Sequence, residues 1–184
     1  MDLLTENVPL TVPTAKPGPM TEMEKFIFEC YGYIVIENVL SQDEIEETLE
    51  AAKRLHAGKI QNKLHQIGRG FETEPALERL IDHPAIMPKV RELYNDRFVL
   101  QAAWCTVQPA HSQHVGWHQD GSSAYEFKDL GYPTPLLQLR VSYHLTDQSE
   151  LYMGNMAMIP GSHKSRVMLP REVRNEIIPT PTAQ

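Results

Sequence analysis

The chain has 184 residues, 41% hydrophobic and 22% charged, with a net charge of −7, which fits one soluble domain with a buried core. The acidic balance excludes the broad basic surface that nucleic-acid binding leaves in a sequence, and no apolar run nears the roughly 20 residues that span a bilayer. Cys30 and Cys105 give neither zinc-type spacing nor a disulfide scaffold, so a reducing, cytoplasmic setting is expected.

Residues 1–19 carry Pro9, Pro13, Pro17 and Pro19 and few large apolar groups, which predicts a flexible, extended N-terminal arm ahead of a single domain over 20–184. Thr21 with Glu24 spells a capping box, so a helix starts there and ends near Gly32. Tyr33-Ile34-Val35-Ile36 is β-branched and aromatic and predicts a strand. Ser41 and Glu44 form a second capping box. Ile45, Leu49, Ala52 and Leu55 follow at helical spacing, predicting an amphipathic helix over 42–56. Residues 57–70, with Gly58, Gly68 and Gly70, predict a loop. Short helices are expected over 74–82 and 85–95, with Pro75, Pro84 and Pro88 where helix starts tolerate proline. Phe98-Val99-Leu100 opens a strand that runs to Val107, and loops follow over 109–116 and 122–135. Leu137, Leu139, Val141, Tyr143 and Leu145 alternate with Gln138, Arg140, Ser142 and His144, the pattern of a strand. A short strand over 155–159 closes at Pro160-Gly161, and a last helix is expected over 170–177.

Helices come first and strands later, which argues an α+β fold with an antiparallel sheet. The four or so strands fall short of the about eight that close a jelly roll. The chain therefore reads as short for its architecture, with a raw sheet edge through which self-association is expected.

The sharpest chemical signal is His118-Gln119-Asp120. In an extended segment residues two apart point to one face, so an imidazole and a carboxylate meet. These are two of the three ligands of the 2-His-1-carboxylate triad that holds non-haem Fe(II) and leaves positions open on one side. Trp117 supplies an apolar wall, and Gly121 lets the chain turn away. Taken alone, H-x-D is a short pattern that recurs by chance. The second signal is Gly154-Asn155, then Met156 to Ile159, then Pro160-Gly161-Ser162-His163-Lys164, whose Pro-Gly reads as a type II turn.

In order, these segments resemble the phytanoyl-CoA dioxygenase family: W-H-Q-D-G, a Leu145-Thr146-Asp147 strand end, and G-N-x-x-x-I-P-G-S-H-K. The earlier Tyr31-Gly32-Tyr33 running into Leu40-Ser41-Gln42-Asp43-Glu44 adds a fourth, and the likeness covers about 25–170. The resemblance implies a double-stranded β-helix (a jelly roll) that binds Fe(II) through His118 and Asp120. It also implies hydroxylation of a small-molecule C–H bond while 2-oxoglutarate is decarboxylated to succinate. An aspartate at 120 implies hydroxylation rather than halogenation, since related halogenases carry alanine or glycine there.

The family's distal histidine, and the arginine that pairs with the far carboxylate of 2-oxoglutarate, have no counterpart: no histidine follows His163. Arg166, Arg171 and Arg174 fall in a predicted loop and helix, so a chain incomplete at its C-terminus is expected. His163 and His144 are the substitutes on hand for a third ligand, while His111 and His114 fall in the loop before the motif. Candidates for the 2-oxoglutarate pocket are Gln101 and Gln108 before the motif, and Gln138, Arg140 and Ser142 on one strand face; alternation does not say whether that face is lumen or solvent. Three readings stand side by side: an oxygenase, a truncated non-catalytic relative that binds a small ligand or partner, and a cupin-type metal enzyme using His118, Asp120 and His163 or His144. The substrate is not legible, and loops 57–70 and 122–135 are where its specificity is expected.

Overall fold

The computed structural model describes residues 12–110, 116–120, 129–132, 134–148, 153–170 and 172. Both capping boxes form. Helix α1, Glu22–Tyr31, starts where Thr21 Oγ1 accepts the Glu24 N–H at 3.2 Å and Glu24 Oε2 accepts the Thr21 N–H at 2.6 Å. It ends at Gly32, whose φ of 83° lets the N–H turn back onto Phe28 O at 2.7 Å. Helix α2, Gln42–His56, opens with the same exchange between Ser41 and Glu44. Thr48, Ala51 and His56 form its buried stripe, flanked by the half-buried Ile45, Leu49, Ala52 and Leu55.

From Val12 on, the proline-rich arm is tied down. Strand β1, Thr14–Ala15, pairs in parallel with β2, Val35–Ile36, and the Gly18 N–H donates to Ala85 O at 2.8 Å. The buried Lys89, on the C-terminal helix of this half, donates to Pro19 O and to Glu24 Oε2, both at 3.1 Å. Burial works against the charge on Glu24. The hydrogen bonds from Thr21, Lys89 and Lys16 outweigh it and hold the carboxyl below its ordinary value.

The predicted loop 57–70 contains a strand. β3, His65–Gly68, pairs antiparallel with a later strand, Trp104–Val107, in the register His65↔Val107 and Gly68↔Trp104. Between them come the short helix α3, Pro75–Glu78, and α4, Met87–Tyr94, which carries Lys89; the later strand is β4. Helix α3 stops well before the predicted end at 82. The strand expected from Phe98 pairs only over Trp104–Val107, and Val99 is 87% exposed.

The alternating segment 137–145 lies outside any ladder among the described residues. Leu137 and Val141 are exposed, and Tyr143 anchors the segment through its hydroxyl, which donates to Leu80 O at 2.9 Å. Of the strand expected over 155–159, only Ala157 makes a bridge. The helix expected over 170–177 lies outside the described residues except for Pro170 and Glu172. The protein is thus a mixed helix-and-sheet fold. Its described sheets are two two-stranded pairs, one parallel and one antiparallel, and its buried apolar side chains belong mainly to the helical half. No helix among the described residues is long and apolar enough to cross a membrane.

Candidate metal centre

His118 and Asp120 stand side by side, with His118 Nε2 3.6 Å from Asp120 Oδ1. His118 Nδ1–H donates to Gly116 O at 2.9 Å. A carbonyl oxygen can only accept, so Nδ1 carries a proton, and in the neutral ring Nε2 is the nitrogen with the free lone pair. Gln119 points elsewhere: its side chain is half-buried and its amide donates to Ser165 O at 3.4 Å. The second oxygen of Asp120, Oδ2, meets Arg140 Nη2 at 2.6 Å. His118, Asp120 and Arg140 are all partly open to solvent.

This donor set fits a divalent iron ion. One imidazole nitrogen and one carboxylate oxygen are ligands that suit it. With Nε2 and Oδ1 3.6 Å apart, His118 and Asp120 are the residues that would hold such an ion. Among the described residues no third histidine, cysteine or acid joins the pair.

Each remaining sequence candidate has a definite place. Arg140 is the one that touches the pair. Gln138 and Ser142 flank it in sequence and are exposed, as is Gln101 ahead of β4. Gln108 lies against Gly154, where a Cβ would sit 3.9 Å from its side chain. His163 is committed elsewhere: its Nε2–H donates to Glu29 O at 3.2 Å and its ring packs on Gly32. Burial, and then the neighbouring Lys164, push its pKa down. His144 is also lowered, by partial burial, and does not join the pair. His111 and His114 lie outside the described residues.

The Pro160-Gly161 turn has the expected geometry, with Gly161 at φ 77° and ψ −6° and the Ser162 N–H donating to Ile159 O at 3.1 Å. Sequence reasoning missed two things: the Gly116 carbonyl that fixes the His118 tautomer, and the specific partner of Arg140. The alternation that put Arg140 on a polar face was a signal for the second. No side-chain pattern announces the first.

An imidazole–carboxylate pair in H-x-D spacing is the donor arrangement that the non-haem Fe(II) oxygenases use for two of their three ligands. The family model for phytanoyl-CoA dioxygenase (PhyH) matches residues 28–180, and the chain belongs to that family of Fe(II)- and 2-oxoglutarate-dependent dioxygenases. A protein of Stutzerimonas stutzeri described as a probable alpha-ketoglutarate-dependent hypophosphite dioxygenase is 25% identical over 160 residues, 77% of this chain and 53% of that one. The chain therefore spans about half the length of the curated relative it matches. No solved structure matches it.

Proposed function

We propose that this chain carries the iron site of a 2-oxoglutarate-dependent dioxygenase that hydroxylates a C–H bond of a small molecule. The observation that carries the reading is the facing of His118 Nε2 and Asp120 Oδ1 across 3.6 Å, with the Nδ1 proton held by Gly116 O. Bound there, Fe(II) with 2-oxoglutarate supplies the oxidising chemistry: O₂ gives one oxygen to succinate and the other to the substrate, and CO₂ leaves. The protein's part is to fix position and charge. His118 is held in the tautomer that offers its lone pair, and Asp120 supplies the anionic oxygen. Retention of a carboxylate at 120 supports hydroxylation.

The jelly-roll fold is part of the same proposal, supported by family membership. Gln101, Gln108, Gln138, Arg140 and Ser142 are proposed for the 2-oxoglutarate pocket. Arg140 is the one of these that stands at the metal pair, where its partner is Asp120. Two free cysteines, Cys30 and Cys105, support a reducing, cytoplasmic setting. Self-association through the β3–β4 pair is supported by the exposure of Trp104, at 60%, on β4.

The test is turnover of 2-oxoglutarate with Fe(II), read as succinate formed. His118→Ala and Asp120→Ala are each expected to reduce it to background. Near wild-type turnover in either variant removes the assignment.

A further inference from the structure

The two oxygens of Asp120 have different neighbours. Oδ1 faces His118 Nε2 at 3.6 Å, while Oδ2 is held by Arg140 Nη2 at 2.6 Å. A guanidinium has no lone pair and stays protonated, so Arg140 competes for the carboxylate but never ligates a metal itself. Because the two contacts use different oxygens, a cation can enter at Oδ1 while the ion pair at Oδ2 stays intact. We propose that Arg140 is a positioning residue for Asp120: by occupying Oδ2 it turns Oδ1 toward His118 Nε2 and limits the carboxylate to a single oxygen on the metal. A carboxylate left loose can close two positions on a divalent ion. Held to one oxygen, it leaves the further position open for the two-pronged cosubstrate and O₂. This inference rests on the metal reading above. It gives Arg140 a task at the Asp120 carboxylate that does not depend on 2-oxoglutarate being bound.

Two effects of Arg140 on a cation oppose each other. Its charge repels the ion, and its hydrogen bond orders the ligand. Both side chains are about half exposed, at 54% and 42%, so solvent and salt screen the repulsion. The ordering survives. Loss of an outer partner of a metal ligand typically weakens a site by 10–100-fold, and the low end, about tenfold, is expected here because the pair is open to water.

The experiment is titration of the full chain with Mn(II), read as the electron paramagnetic resonance signal of free Mn(II), first without 2-oxoglutarate and then with it. Binding that His118→Ala abolishes establishes the metal reading; absence of such binding in the wild type sinks both that reading and the inference. Arg140→Gln is expected to weaken Mn(II) binding about tenfold, and Arg140→Lys, which keeps the charge and one donor, to recover most of it. Unchanged or tighter binding in Arg140→Gln overturns the inference while the metal reading stands. So does a defect seen only in the 2-oxoglutarate titration, which would give Arg140 to the cosubstrate.

Discussion

His163 shows how one side chain can look like chemistry and serve structure. Helix α1 ends with carbonyls that have no partner inside the helix, and the Pro160-Gly161-Ser162-His163 turn supplies partners for two of them. The Gly161 N–H donates to Tyr31 O at 2.9 Å, and His163 Nε2–H to Glu29 O at 3.2 Å. The imidazole also covers Gly32, where a Cβ would collide with the ring, at a φ of 83° that L side chains rarely adopt. His163→Ala is therefore expected to cost about 1 kcal/mol in urea unfolding, the worth of one hydrogen bond, and to leave Mn(II) affinity as it was. Loss of Mn(II) binding in this variant would make His163 the third ligand instead. Gly32→Ala is expected to cost more than His163→Ala, since backbone strain adds to the collision. The double variant should then fall short of the sum, because His163→Ala removes the clash.

At the scale of elements, the helix starts were legible because their signals are local. Ser41 caps α2 while Glu44 answers it and also reaches His83 Nε2 at 3.4 Å. Ser41→Ala is expected to lower stability by about 1 kcal/mol by urea or thermal unfolding; an unchanged midpoint would mean that α2 is held by packing alone. The strands were less legible. His65-Gln66-Ile67-Gly68 has one β-branched residue and no alternation, yet it pairs, because a partner 40 residues away supplies the ladder, as in the contact of Gln66 with Thr106. The segment 137–145 has the alternation and no ladder among the described residues, since pattern specifies two faces and not the neighbour that bonds them. The site divides the same way. His118 and Asp120 were legible because two residues of spacing bring them together locally. The choice of Arg140 over Gln138 or Ser142 as the side chain at Asp120 depends on how two separate segments meet, and no local rule carries that.

Across the whole molecule the shifted histidines and carboxylates share a direction with pH. His56 is 1% exposed, with its Nδ1 2.7 Å from His65 Nδ1. Only one proton fits between those nitrogens, which links the end of α2 to β3. Burial, and then His65, push the His56 pKa below its ordinary 6.5, and burial lowers His144 and His163 as well. A histidine lowered in the folded state binds fewer protons there than in the unfolded chain, so its contribution to stability is whole above about pH 6.5 and is lost as pH falls below that value. Glu24 and Glu44 are also lowered, from 4.5, so their contribution is whole above that value and is lost as pH falls below it toward their folded-state pKa values. Stability should therefore fall in two stages on acidification, the first set by histidines and the second by carboxylates. Urea unfolding measured from pH 8 to pH 4 is expected to show the first decline beginning near pH 6.5, with a slope of up to about 1.4 kcal/mol per pH unit for each fully displaced proton. His56→Gln keeps a polar group of similar reach and removes the titration, so it should flatten part of that first decline and leave the second in place. A profile already flat between pH 7 and pH 5 in the wild type would show that the buried His56 is not held neutral by the fold.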